Sequence, residues 1–115
     1  MSEQPTLFEA KTVTAEIEQI ILYALGDFQS RKKVLAEREL ALDRLRGAFK
    51  RATDKYGVGE LSDEQIAGTL EKLGTKIVKV PSFVAKHPFR VTVSSQTAER
   101  ARQFYHETLT KEGSS

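Results

Sequence analysis

The chain has no cysteine among its 115 residues, which excludes disulfides and every thiolate metal site and suits a reducing compartment. Long apolar runs are also missing. The longest, Ile20 to Leu25, is far short of the ~20 residues that a membrane-spanning helix requires. The first residues, Met1, Ser2, Glu3 and Gln4, are polar and acidic, unlike a secretory leader, so a cytoplasmic protein without membrane contact is expected. No internal repeat or low-complexity tract is present.

Chemistry-bearing patterns are equally scarce. His106-Glu107 begins like a zinc-protease helix, but the second histidine would fall at position 110, which is Thr110. His87 lies in a loop with no acid beside it. Two histidines and no cysteine make no metal-ligand spacing. Gly57-Val58-Gly59 lacks the third glycine and the Gly-Lys-Ser/Thr of phosphate loops. Ser94-Ser95 lacks the Gly-x-Ser-x-Gly setting of an elbow nucleophile, and helix capping accounts for it better. No enzyme, cofactor or metal site is expected.

What the chain does have is a stripe. Ile17, Ile21, Ala24, Phe28, Leu35, Leu42, Leu45, Phe49, Ala52 and Tyr56 recur at spacings of three and four, interrupted by Arg31 and Arg38. Such a period places the residues on one side of a helix. It predicts one long amphipathic helix from Thr12 or Thr14 to Tyr56, with Gly26 the place for a kink and Gly57 the stop. The stripe is longer than the rest of the chain can easily cover. A homodimer pairing through Leu35, Leu42, Leu45 and Phe49 is therefore expected.

Charge is segregated along the same stretch. Residues 1–27 carry a net −4 and residues 28–56 a net +5, although the whole chain is only +2. A basic helix could track a polyanion, while acids near a helix start and bases near its end also suit the macrodipole.

The second half is well punctuated. Val58 to Leu61 reads as an extended link. Ser62 with Gln65 is a capping box opening a short helix whose buried face is Ile66, Leu70 and Leu73, closed by Gly74. Ile77 to Val80 is β-branched and ends at Pro81. Phe89, Val91 and Val93 alternate with polar residues. These two runs predict a two-stranded β-hairpin joined by a loop from Pro81 to Pro88. Ser95 then caps a C-terminal helix with Ala98, Ala101, Phe104, Tyr105 and Leu109 on one side. The expectation is a single α+β domain over residues 12–111, with a flexible tail over 1–11 and a polar tail over 112–115. The order helix, short strand, helix, strand, loop, strand, helix resembles that of a winged helix lacking its recognition helix. The segment after Gly74 reads as a strand instead.

Two stretches invite partners. Lys79, Lys86 and Arg90 surround an apolar hairpin tip at Phe83, a pattern that can grip phosphates and press a wedge into a minor groove. Gln4-Pro5-Thr6-Leu7-Phe8 resembles the Gln-x-x-Leu-Phe pentapeptide by which many bacterial replication and repair proteins bind the sliding clamp. That resemblance implies an extended peptide in which Gln4 supplies hydrogen bonds while Leu7 and Phe8 fill an apolar cleft. Pro5 stands where Leu is usual, and Thr6 where Ser or Asp is usual. The expected function is a non-catalytic interaction module that self-associates through its long helix. The alternative is a DNA-binding or DNA-transaction accessory protein using the basic helix and hairpin, with the tail docked on a clamp.

Overall fold

The run from Ile20 to Phe28 is buried at every position. A helical segment covered on all sides sits inside a protein rather than on its surface. This run makes α1 (Glu3–Ser30) the central post, with α4 (Ser95–Gly113), α2 (Arg46–Tyr56) and α3 (Asp63–Lys72) packed around it. The structure, a computed structural model, describes residues 3–79 and 89–113, with side chains over 16–79 and 89–111. Its helices and antiparallel sheet give an α+β chain.

The unbroken helix expected through to Tyr56 is not formed. α1 starts at Glu3, ahead of Thr12 and Thr14, and so takes in the stretch expected as a tail; it ends at Ser30. Residues 29–33 offer no apolar group to hold another turn, and Lys32 adopts left-handed backbone at φ 63°, a common way for a helix to stop. After a loop come β1 (Glu39–Ala41), a 3-10 turn (Leu42–Leu45) and α2. The stripe survives in burial but not in continuity, because its second half folds back against α1. Gly57, at φ 67°, closes α2.

Gly26 is a close approach, not a kink. A Cβ there would collide with Tyr105 Cβ and lie 2.6 Å from the Ala101 carbonyl oxygen, so glycine lets α4 come down onto α1. The next residue, Asp27, is 4% exposed. Arg51 of α2 donates to its Oδ2 from Nε at 2.7 Å and closes the pair through Nη2 at 2.6 Å. Arg31 Nε donates to the same oxygen at 3.4 Å, and the Tyr105 hydroxyl reaches Oδ1 at 3.5 Å. Tyr23 continues the junction, with its ring 4.9 Å from Tyr105 and 6.0 Å from Tyr56 between centroids.

The hairpin is part of a larger sheet. β1 and β2 (Lys76–Lys79) both pair antiparallel with β3 (Phe89–Thr92), giving the order β1-β3-β2. Leu40, Val91 and Ile77 stand opposite one another in one row, and Val91 is 1% exposed, so this row faces the core. The rows Ala41-Arg90-Val78 and Glu39-Thr92-Lys76 face away from it. With β1 at 39–41, two helices now follow the first strand. The chain order becomes helix, strand, helix, helix, strand, strand, helix. α3 therefore fills the position that the winged-helix order gives its recognition helix and that the sequence left empty.

Local signals hold at the helix ends. Gln65 N–H donates to Ser62 Oγ at 3.1 Å, and Ser62 N–H to Gln65 Oε1 at 2.9 Å, completing the capping box. At α4 the cap is Ser94, one residue earlier than expected: its Oγ accepts from Thr97 N–H at 3.2 Å. Glu37 adds its carboxylate to Ser95 N–H at 2.8 Å, where the helix dipole favours an anion.

Two glycines separate close approach from helix propensity. Gly26→Ala should lower stability by about 2 kcal/mol or more, roughly 5–15 °C in melting temperature, because α1 and α4 must part. Gly68 has open space where its Cβ would be, so Gly68→Ala should raise stability by about 0.5–1 kcal/mol. Paired thermal melts test this, and equal shifts in the two variants would refute the close approach.

Candidate functional site

The four residues expected to pair two copies are inside one. Leu35, Leu42, Leu45 and Phe49 are only 1%, 4%, 0% and 5% exposed, in the chain's own core. They offer no seam to a partner, because the break at Ser30 lets the chain cover its own stripe. Any pairing of two copies must use another surface. Of the basic hairpin, Lys79 and Arg90 are among the described residues. Lys79 pairs with Phe89 in the strand register, with its ammonium 5.7 Å above that ring, whereas Arg90 belongs to a row on the opposite face. The two cations thus stand on opposite faces of the sheet. Phe83 and Lys86 lie outside the described residues. Gln4, Leu7 and Phe8 fall within α1, outside the residues whose side chains are described.

A cleft of about 510 Å³ opens between α2 and α3. Leu42, Phe49, Val58, Leu61 and Ile66 give it an apolar lining. The capping box sets where α3 starts, and the link from Gly57 to Leu61 forms one wall. The charges at its mouth are largely spent on one another. Arg46 donates to Asp43 at 2.9 Å and to Asp63 at 3.4 Å, and Lys50 meets Asp54 at 3.5 Å. The hydrogen bond to Asp43, helped by the charge of Asp63, raises the Arg46 pKa above its already high ordinary value. Arg46 is thus a fixed cation at the rim.

α3 carries the wrong charge for a groove reader. Its first turn holds Asp63 and Glu64, and its exposed residues include Glu71 beside Lys72. A second, smaller pocket of about 280 Å³ lies at the corner between α1 and β1, where Lys32, Lys33, Arg38 and Arg44 are among its lining. The only sign of this corner in the sequence is the net +5 of residues 28–56. The cleft had no such sign, since Val58 to Leu61 reads simply as a link.

His106 is exposed on α4, and no group of three His, Cys, Asp or Glu that could hold a metal occurs among the described residues. No described helix is long and apolar enough to cross a membrane. Compared with known proteins, the chain matches no protein family, no curated protein and no solved structure.

The buried stripe has a direct test. Leu42→Ala and Leu45→Ala should each cost about 2–5 kcal/mol of stability by leaving a cavity. Both should leave the sedimentation coefficient of the folded protein equal to that of the parent. A variant that stays as stable as the parent but changes its association state would restore the seam.

Proposed function

We propose that the chain is a non-catalytic binding module that engages a protein partner through the cleft between α2 and α3. The observation that carries this reading is the pairing of an apolar floor with a charge-balanced rim. An apolar side chain from a partner would find a ready pocket there, and the rim bears cations and anions in near balance. Nucleic acid fits the same face poorly. In a helix-turn-helix the second helix brings its N-terminal residues to the base edges, and here those residues are Asp63 and Glu64, which repel phosphate. A reducing, cytoplasmic setting is part of this reading, in keeping with the missing cysteine.

The test uses tagged full-length chain in lysate of the native host, with and without nuclease. A protein partner should be retained after nuclease. Leu61→Asp should reduce its retention by about tenfold or more, the cost of losing one well-packed anchor site. Swapping the exposed pair (Lys50→Asp with Asp54→Lys) should also weaken retention while leaving the melting temperature unchanged. The reading falls if no protein is retained, if nuclease abolishes retention, or if both variants retain as much as the parent.

A further inference from the structure

We infer that the corner between α1 and β1 is a contact site for a nucleic-acid backbone, distinct from the α2–α3 cleft. Residues 28–56 carry nine cations. Five of them are used inside the fold: Arg31 and Arg51 on Asp27, Arg46 on Asp43 and Asp63, Lys50 on Asp54, and Lys55 over the ring of Tyr23. The other four are Lys32, Lys33, Arg38 and Arg44. All are exposed, and none pairs with an acid among the described residues. These four line a single pocket above Phe28 and Leu40.

Of the acids in the same segment, Asp54 is held by Lys50, and Glu39 stands in the sheet row that faces away from Leu40. Glu37 is spent on the N-terminus of α4, through Ser95 N–H and Oγ, and Asp43 on Arg46. The loop holds its shape at a cost, since Lys32 and Glu37 both sit at positive φ, 63° and 58°. Strain of this kind persists only where the surroundings impose it. The chemistry of the four groups selects the ligand class. Exposed, fully hydrated ammonium and guanidinium groups with no buried polar partner hold a small phosphate weakly. They gain most from a row of phosphates, by releasing the counterions condensed along it. Arg44, in the 3-10 turn that leads into α2, and the loop cations can meet phosphates without any element entering a groove, and phosphate contacts carry no sequence information. The contact is therefore independent of base sequence.

The probe is a short fluorescein-labelled DNA duplex, read by anisotropy from about 50 to 200 mM salt. With three to four phosphate contacts, log K should fall against log salt with a slope of about −2.7 to −3.6. The triple variant Lys33→Gln, Arg38→Gln, Arg44→Gln should weaken binding at low salt by about tenfold or more and flatten the slope by about 2.7, with its melting temperature unchanged. A second variant, Lys32→Gly, should raise the melting temperature by a few degrees by relieving the left-handed backbone, and yet weaken duplex binding. The inference is overturned if the parent does not bind duplex at low salt, or if the triple variant binds like the parent. Binding confined to inorganic tripolyphosphate or to phosphatidylserine vesicles overturns it too, by assigning the corner to a small anion or a lipid surface.

Discussion

The structure depends on the junction at Gly26 and Asp27, where three helices meet near the C-terminal end of α1. A carboxylate as buried as Asp27 is costly to desolvate unless it is paired and hydrogen-bonded. Its partners come from separate places in the chain, with Arg51 on α2, Tyr105 on α4 and Arg31 just past the last turn of α1. Meeting that requirement fixes α2 and α4 on α1 at once. Gly26 then sets how near α4 can come, since any side chain there would strike Tyr105 and Ala101. The apolar burial around this point supplies most of the free energy. The polar junction supplies direction, because apolar contact alone tolerates many packings.

With the post so fixed, the remaining elements have little freedom. Ile20–Phe28 is enclosed, so the second half of the stripe must lie against it rather than continue away from it. The sheet closes the arrangement through Leu40, Val91 and Ile77. Thr97 ties the start of α4 to the end of α3 by donating to the Leu73 carbonyl at 2.6 Å. A single buried hydroxyl is left without a partner among the described residues, that of Thr75 at the entry to β2.

Legibility in the sequence followed the range of the interactions involved. The capping box at Ser62, the stop at Gly57, the paired strands and the α+β class are set by neighbours a few residues apart, and all were readable. The break at Ser30 was hidden by a coincidence of period. Leu35 in the loop, Leu40 in β1 and Leu42 in the 3-10 turn are all buried, and the stripe members among them happen to keep a helical spacing without sharing a helix. β1 reads Glu39-Leu40-Ala41, with no β-branched residue, and is a strand only because β3 lies beside it. Gly26 has the look of a kink or stop in one dimension, since its reason is a side chain nearly eighty positions away. Leu35, Leu42, Leu45 and Phe49 do need cover, and the same chain supplies it. The corner shows in the sequence only as the net +5 of residues 28–56, and the cleft, built from the α2–α3 pair and its link, shows no sign there.

The break at Ser30 also decides how the surface charge is divided. In one continuous helix the nine cations of residues 28–56 would be spread around its circumference, and Arg31, Lys33, Arg46, Lys50 and Arg51 would each have an acid three or four residues away. Turning the chain at Lys32 separates them. The cations with partners in α1, α2 and α3 are drawn into structural pairs, while those in the loop and the 3-10 turn are left together. The same turn inserts β1, and β1 is what moves α3 into the recognition-helix position of a winged-helix order. α3 nevertheless opens with Asp63 and Glu64, one of them already engaged by Arg46. Position in the order and charge on the helix therefore point in opposite directions. A phosphate backbone responds to charge at short range and not to topology, so charge wins. The acids at the start of α3 thus weigh against a polyanion there, while Lys32, Lys33, Arg38 and Arg44 remain together at the corner.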